Sequence, residues 1–384
     1  MNKNKYAQDI ALDCINDKMF NGYYSPIDTL KTNTPYILSY GGRNIGKTFG
    51  WLLTMYAMWQ KADKQSCYMR RMADSILSAK CSDLFTKVFN SGIVENVKGY
   101  AGITYRNRRF CGYWLDEKNK KTFDKPFCYT YALSSKIESN KGVLDIENLG
   151  IVFFDEALTA DNYLSDEFIR FQNAVSTIVR ENDTACVVLC ANTVSWVAPY
   201  FREFCIKDVR DIKQGTIKVV QCSEYTSITV EYCNDIIKSR KKRIVDKRFF
   251  GFKNGTSKMI TSGSWELKSY PHLTRDMLNG RDKDLVSRDC YIDFENDILV
   301  LELFYLSEYG YVVNVRPTYD IDYIRCVRVY TDKELNRPCN RKKIFSEDKL
   351  DKLIWGLYKR DKFFYADNLC GEIVRKYLQS INMI

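Results

Sequence analysis

Gly41-Gly42-Arg43-Asn44-Ile45-Gly46-Lys47-Thr48 satisfies G-x-x-x-x-G-K-[ST] at every defined position, and this stretch constrains most of what the surrounding chain must do. The motif carries chemistry where a strand runs into a glycine-rich turn that opens a helix. Both flanks are present. Ile37-Leu38 lies in a β-prone run, and Phe49, Trp51-Leu52-Leu53, Met55-Tyr56 and Met58-Trp59 form a helix-like apolar run after the turn. Gly41 and Gly46 let the backbone N–H groups of the turn, which also holds Gly42, Arg43, Asn44 and Ile45, point at a ligand. The helix N-terminus adds partial positive charge. Lys47 is placed to reach β- and γ-phosphates, and the Thr48 hydroxyl to coordinate Mg²⁺. The sequence therefore predicts a nucleoside triphosphate site, with ATP and Mg²⁺ as its ligands.

A second motif completes the first. Gly150-Ile151-Val152-Phe153-Phe154-Asp155-Glu156 is an unbroken apolar run ending in two carboxylates, as expected of a strand buried on both faces. It begins a Walker B pattern about 107 residues after Walker A. Asp155 is placed to hold the Mg²⁺ shell beside Thr48, and Glu156 to polarise the attacking water as general base. Asp166 to Val179 reads as a helix with an apolar stripe, closing on Arg180. Ala185 to Cys190 is another doubly buried strand, and Asn192 just beyond it is the candidate sensor of the γ-phosphate. Strands alternating with helices, with a phosphate loop at a strand's C-terminal end, predict an α/β three-layer P-loop domain.

The 384 residues exceed one ordinary core, so a second domain is expected. A net charge of +10 favours a polyanionic partner. The 14 cysteines include no C-x-x-C pair and the first residues are polar, so reduced thiols in a cytoplasm are expected, with no signal peptide. No apolar run approaches ~18 residues, which excludes a spanning helix. His272 is the only histidine, so a histidine-rich metal site is impossible and a structural role is expected for it.

Ile103 to Leu115 reads as a hairpin turning at Asn107-Arg108-Arg109. From Lys238 the composition shifts to a basic run in which Lys241, Lys242, Arg243 and Lys247 are candidates to track a DNA backbone, with a solvated charged face as the competing reading. Glycines and serines follow as in a linker. A hairpin at Ile298 to Val315 and helices at Leu350 to Tyr358 and Leu369 to Leu378 give a small second α+β or α/β unit. The expected division is an ATPase domain over 1–228, a basic linker over 229–275 and a C-terminal domain over 276–384.

Gly-Gly-Arg-Asn-Ile-Gly-Lys-Thr, Tyr-Met-Arg-Arg after the second strand, Ile-Val-Phe-Phe-Asp-Glu, and Val-Arg-Glu-Asn with Ala-Asn-Thr-Val-Ser-Trp-Val-Ala-Pro-Tyr-Phe around the next strand occur in this order. Together they resemble the DNA encapsidation ATPases of small short-tailed, protein-primed phages. The resemblance covers 35–205 with specific motifs and is fainter beyond. It implies an ASCE-class ATPase followed by an RNase H-like, degenerate nuclease domain. It further implies a homo-oligomeric ring, a pentamer in that family, that drives double-stranded DNA through the portal, or connector, of a prohead. A prohead RNA is an optional further partner. The location implied is the host cytoplasm, with transient docking at the portal vertex and absence from the mature virion. By position, Arg180 corresponds to the arginine finger given to the neighbouring subunit, and Arg43 resembles the P-loop arginine of large terminases. Asn44 stands where a glycine can occur; asparagine tolerates the left-handed conformation.

Two other readings remain open. A terminase-like motor with an active nuclease needs about three carboxylates converging on two metals. Asp289, Asp293, Glu295, Asp297, Asp320, Asp322 and Asp367 are available, with no spacing that singles out a trio. A P-loop small-molecule kinase is the alternative from another class, for which Glu156 and the basic linker have no use.

Overall fold

The computed structural model describes residues 5–135, 146–159, 163–180, 182–207, 209–234, 270–273, 284–295, 297–321, 323, 328–333, 338–341 and 348–381. The chain divides into two compact units. One comprises Met1–Ala160, Leu164–Trp196 and Glu203–Trp265; the other comprises Asp161–Tyr163, Val197–Arg202 and Glu266–Ile384.

The first unit is built on one sheet with strands β1 (Tyr36–Gly41), β2 (Gln65–Arg70), β3 (Gly102–Arg106), β4 (Arg109–Leu115), β5 (Lys121–Phe123), β6 (Cys128–Ala132), β7 (Leu149–Asp155), β8 (Cys186–Asn192), β9 (Ile217–Gln221) and β10 (Ser227–Tyr232). Their order is β3-β4-β6-β2-β7-β8-β1-β10-β9, with β5 added to β4. From β6 to β10 the pairs are parallel; β3, β4, β5 and β9 join antiparallel at the margins.

The unbroken apolar run of β7 has a direct structural cause. Successive side chains on a strand face opposite ways. Phe153 packs on Trp51 of the helix Lys47–Ala62, and Phe154 stacks on Phe171 of the helix Glu167–Val179. Both faces are therefore covered and neither admits a polar residue. Twelve residues of the helix Lys47–Ala62 are buried, including Trp51 and Trp59. The lead-in holds helices Ala7–Cys14, Asp17–Phe20 and Ile27–Leu30. It buttresses the phosphate loop: Tyr24 N–H donates to the Ile45 carbonyl at 3.1 Å, and Tyr24 Oη donates to the buried Glu231 at 2.7 Å. Burial raises the Glu231 carboxyl above its usual range, against the opposing hydrogen bonds from Tyr24 and Ser39.

β10 corrects the expected domain boundary. It pairs with β1 from Tyr36↔Ile228 to Tyr40↔Tyr232, so the sheet of the first unit runs through residue 228. The strand escaped the sequence reading because polar Thr229 and Glu231 interrupt its apolar pattern, while both are buried in hydrogen bonds.

The second unit has a mixed six-stranded sheet of order β15-β14-β11-β12-β13-β16. Its strands are β11 (Leu285–Phe294), β12 (Asp297–Leu306), β13 (Gly310–Thr318), β14 (Arg328–Thr331), β15 (Asn340–Arg341) and β16 (Phe363–Tyr365). An antiparallel β11–β12–β13 meander is continued on the β11 side by parallel β14 and β15. Helices Lys349–Tyr358 and Asn368–Ser380 supply its core with Ile354, Trp355, Ile373, Val374 and Tyr377. The far end of the expected linker also belongs here. Tyr270 lies over Gly371, where a Cβ would meet its ring at 2.2 Å, and donates to Glu372 at 3.0 Å. His272 Nδ1 lies 2.7 Å from the Tyr365 carbonyl oxygen, a structural contact.

Candidate active site

Three strand ends create the site. β8 lies between β1 and β7, and its register places Asn192 beside Gly41 and Cys190 beside Asp155. The end of the phosphate-loop strand, a polar amide and a carboxylate therefore stand in a row. They border a cleft of about 230 Å³ lined by Asn44, Ile45, Gly46, Lys47, Thr48, Asp155, Glu156 and Asn192, among others. Its location beyond the carboxyl ends of parallel strands is where open α/β sheets bind ligands.

The loop adopts the geometry its residues allow. Gly46 has φ +94° and Asn44 φ +65°. At Gly46 an added Cβ would also press on Tyr23 at 3.3 Å. Gly41, Gly42 and Ile45 are buried, whereas Arg43 and Asn44 are exposed. Lys47 is buried; its ammonium donates to the Gly42 carbonyl at 2.7 Å, the Gly41 carbonyl at 3.1 Å and Asn192 Oδ1 at 3.3 Å. The Thr48 hydroxyl donates to Asp155 Oδ1 at 3.1 Å. A hydroxyl and a carboxylate in contact at a helix N-terminus are a hard-oxygen pair fitted to Mg²⁺, which keeps most of its shell as water and phosphate.

Two arginines complete the site, and the sequence reading gave neither a role. Arg70, at the end of β2, reaches Asp155 at 3.2 Å and Glu156 at 2.5 Å. Tyr68 on the same strand donates to Asp155 Oδ2 at 3.0 Å. Burial disfavours the Arg70 cation, yet Tyr68, Asp155 and Glu156 outweigh it and hold the guanidinium above its usual range. Burial and the Asp155 charge keep the Tyr68 phenol protonated. Glu156, mostly exposed and at φ +56°, is thus held by Arg70 in a conformation a non-glycine residue rarely adopts.

Arg71 turns the other way. It forms a bidentate pair with Glu167 at 2.8 and 2.9 Å, and donates to the Glu156 and Ala157 carbonyls at 3.2 and 2.7 Å. Glu167 opens the helix Glu167–Val179 and is buried. Removing one partner of a buried pair leaves the other charge uncompensated, at about 3 kcal/mol or more. Arg71→Ala is accordingly expected to lower the unfolding free energy of the first unit by that amount in urea titration. A change below about 1 kcal/mol would reduce the pair to the standing of a surface contact.

Arg180 caps the same helix at φ +40° and ψ −109°, exposed and absent from the residues lining the cleft. The helix's 13 residues put it about 20 Å from Glu167 along the axis. Lys241, Lys242, Arg243 and Lys247 lie outside the described residues. In the second unit, Asp293 pairs with Lys333 at 2.6 Å, Asp367 caps a helix and Asp289 bonds Ser287. Asp322 lies outside the described residues. Among the described residues no group of three His, Cys, Asp or Glu is placed to hold a metal, and no helix is long and apolar enough to cross a membrane.

A family model described as Podovirus DNA encapsidation protein (Gp16) matches residues 17–261. No curated protein matches in sequence. Among solved structures, the Phi-28 gp11 DNA packaging motor aligns over 95% of this chain and 99% of its own, with a TM-score of 0.56 and 15% identity. The bacteriophage Phi-29 viral genome packaging motor assembly aligns over 94% and 99%, with a TM-score of 0.56 and 17% identity. These likenesses show a shared fold along nearly the whole chain.

Proposed function

Because this chain belongs to the podovirus DNA encapsidation protein family, we propose that it is the ATP-driven translocase that moves double-stranded viral DNA into a prohead through the portal. The observation that carries the reading is the cleft itself, where Lys47, Thr48, Asp155, Glu156 and Asn192 converge from three strand ends. A kinase site needs no carboxylate in the place of Glu156, which follows the metal-binding Asp155 and stands where an attacking water belongs.

The chemistry divides among these residues. Lys47, with its ammonium already drawn toward the loop by two carbonyls, neutralises β- and γ-phosphate charge. Thr48 and Asp155 would hold Mg²⁺, which supplies charge neutralisation between those phosphates. Asn192 Oδ1 orients the Lys47 ammonium, and its amide N–H serves as the sensor of the γ-phosphate. Glu156 takes the proton of the attacking water. To do so it must leave Arg70, so the Arg70–Glu156 pair acts as a latch on hydrolysis. Arg180, remote from its own cleft, acts on the neighbour's ATP within a homo-oligomeric ring, taken as a pentamer. Lys241, Lys242, Arg243 and Lys247 contact DNA phosphates, and the RNase H-like unit is a degenerate nuclease, with Asp293 neutralised by Lys333. The ring works in the host cytoplasm, docked at the portal vertex with or without a prohead RNA, and is absent from the mature virion.

The test is ATP turnover with and without duplex DNA, alongside metal-dependent nicking of plasmid. Stimulation without nicking is the expected result. Turnover indifferent to DNA would favour a small-molecule enzyme, and nicking would restore an active nuclease.

A further inference from the structure

At the margin of the first unit, β3, β4 and β5 form an antiparallel lobe that the ATP site does not use. Between Lys98 and Lys125 the chain carries eight lysines and arginines against three carboxylates, half of its net +10. Asp124 accepts from the Tyr100 hydroxyl, and Asp116 accepts the amides of Lys118 and Lys120, so two of the three carboxylates are engaged locally.

The cations and rings share one sheet face. Arg106 lies opposite Arg109, and Tyr113 opposite Phe123. Arg109 and Tyr113 are four residues apart on one strand and face the same way. Like charges directly opposite one another weaken a strand pair. Here each cation is laid over a ring instead: Arg106 over Phe123 at 4.5 Å, Arg109 over Tyr129 at 5.3 Å, and Lys121 over Tyr113 at 4.3 Å. Phe123 is 39% exposed. Arg106 is exposed, so its guanidinium on Phe123 can present its other planar face to a nucleobase, whereas Arg109 is half-buried over the buried Tyr129.

We propose that this face of β3, β4 and β5 binds single-stranded nucleic acid, with bases stacked on Phe123, Tyr113 and the Arg106 guanidinium and phosphates on Arg106 and Lys121. Positive charge alone would serve any polyanion. Flat aromatic faces interleaved with cations serve unstacked bases, which a duplex does not expose.

The experiment is fluorescence anisotropy on the full-length protein with labelled oligo(dT) and oligo(rU) of about 20 nucleotides, and with a duplex of equal length. Tyr113→Ala with Phe123→Ala is expected to weaken single-strand binding at least about ten-fold while leaving the salt slope and duplex binding unchanged. Phe123→Leu, which keeps an apolar side chain but loses the flat face, is expected to weaken it by a smaller factor. Stronger binding of oligo(rU) than oligo(dT) would identify RNA as the source, and the reverse DNA. Unchanged affinity in both variants would overturn the proposal, as would equal weakening of duplex and single strand. So would a changed oligomeric state in sedimentation, which would make the face a contact between copies. ATP binding, measured in parallel, confirms that each variant is folded, and its loss from the double variant transfers the decision to Phe123→Leu.

Discussion

Glu156→Gln is expected to bind ATP as the wild type does and to turn it over on the order of 10³-fold more slowly. The side chain is mostly exposed and touches Arg70, not the phosphate loop, so its charge contributes little to holding the ground-state nucleotide. The role proposed for it is proton transfer in the transition state, where a positioned base accounts for about 10² to 10⁴ in rate. Lys47→Ala should fail one step earlier. Lys47 is buried against Gly41, Gly42 and Asn192, and among the described residues lining the cleft no other side chain carries a positive charge to meet the β- and γ-phosphates. Equilibrium binding of a fluorescent ATP analogue and steady-state turnover separate the two variants. Turnover of Glu156→Gln near the wild-type rate would remove Glu156 from this role.

The second large effect concerns Arg180. Arg180→Ala is expected to bind ATP normally and to lose turnover on the order of 10³-fold in homomeric rings, the range that arginine fingers contribute in P-loop enzymes. The helix that carries it starts at Glu167, which Arg71 ties to the backbone of Glu156 and Ala157. One helix therefore links the backbone beside Glu156 to an exposed cation about 20 Å away along its axis. A helix C-terminal arginine that only complements the macrodipole would change stability by less than about 1 kcal/mol and leave turnover intact. Mixing distinguishes the cases further. An Arg180→Ala subunit keeps its own Glu156 and borrows Arg180 from a Glu156→Gln neighbour, so mixed rings should regain activity. No recovery at any ratio, in rings shown to contain both variants, would contradict action in trans.

What the sequence disclosed follows from how local each signal is. The phosphate loop was readable because strand, turn and helix are contiguous, and Gly46 and Asn44 adopt the positive φ the motif demands. Phe153-Phe154 announced a doubly covered strand for the same reason. Arg70 and Arg71 were visible only as a pair of basic residues. Their partners lie 85 to 96 residues away, and only the pairing of β2 with β7 brings them together. Tyr24 and Glu231 are separated by 207 positions, and a buried carboxylate in a central strand gives no apolar pattern to follow. The β12–β13 hairpin was legible from its Glu308-Tyr309-Gly310 turn, with Gly310 at φ +69°. The ends of the expected linker were not, since Tyr270 and His272 are fixed by residues 102 and 93 positions away.

The measurement that tests the motor reading most directly is nuclease protection of viral duplex DNA incubated with proheads, this protein and ATP. The prediction is protected DNA that accumulates only with hydrolysable ATP and is absent with Glu156→Gln. Equal protection by Glu156→Gln, or protection without ATP, would contradict it.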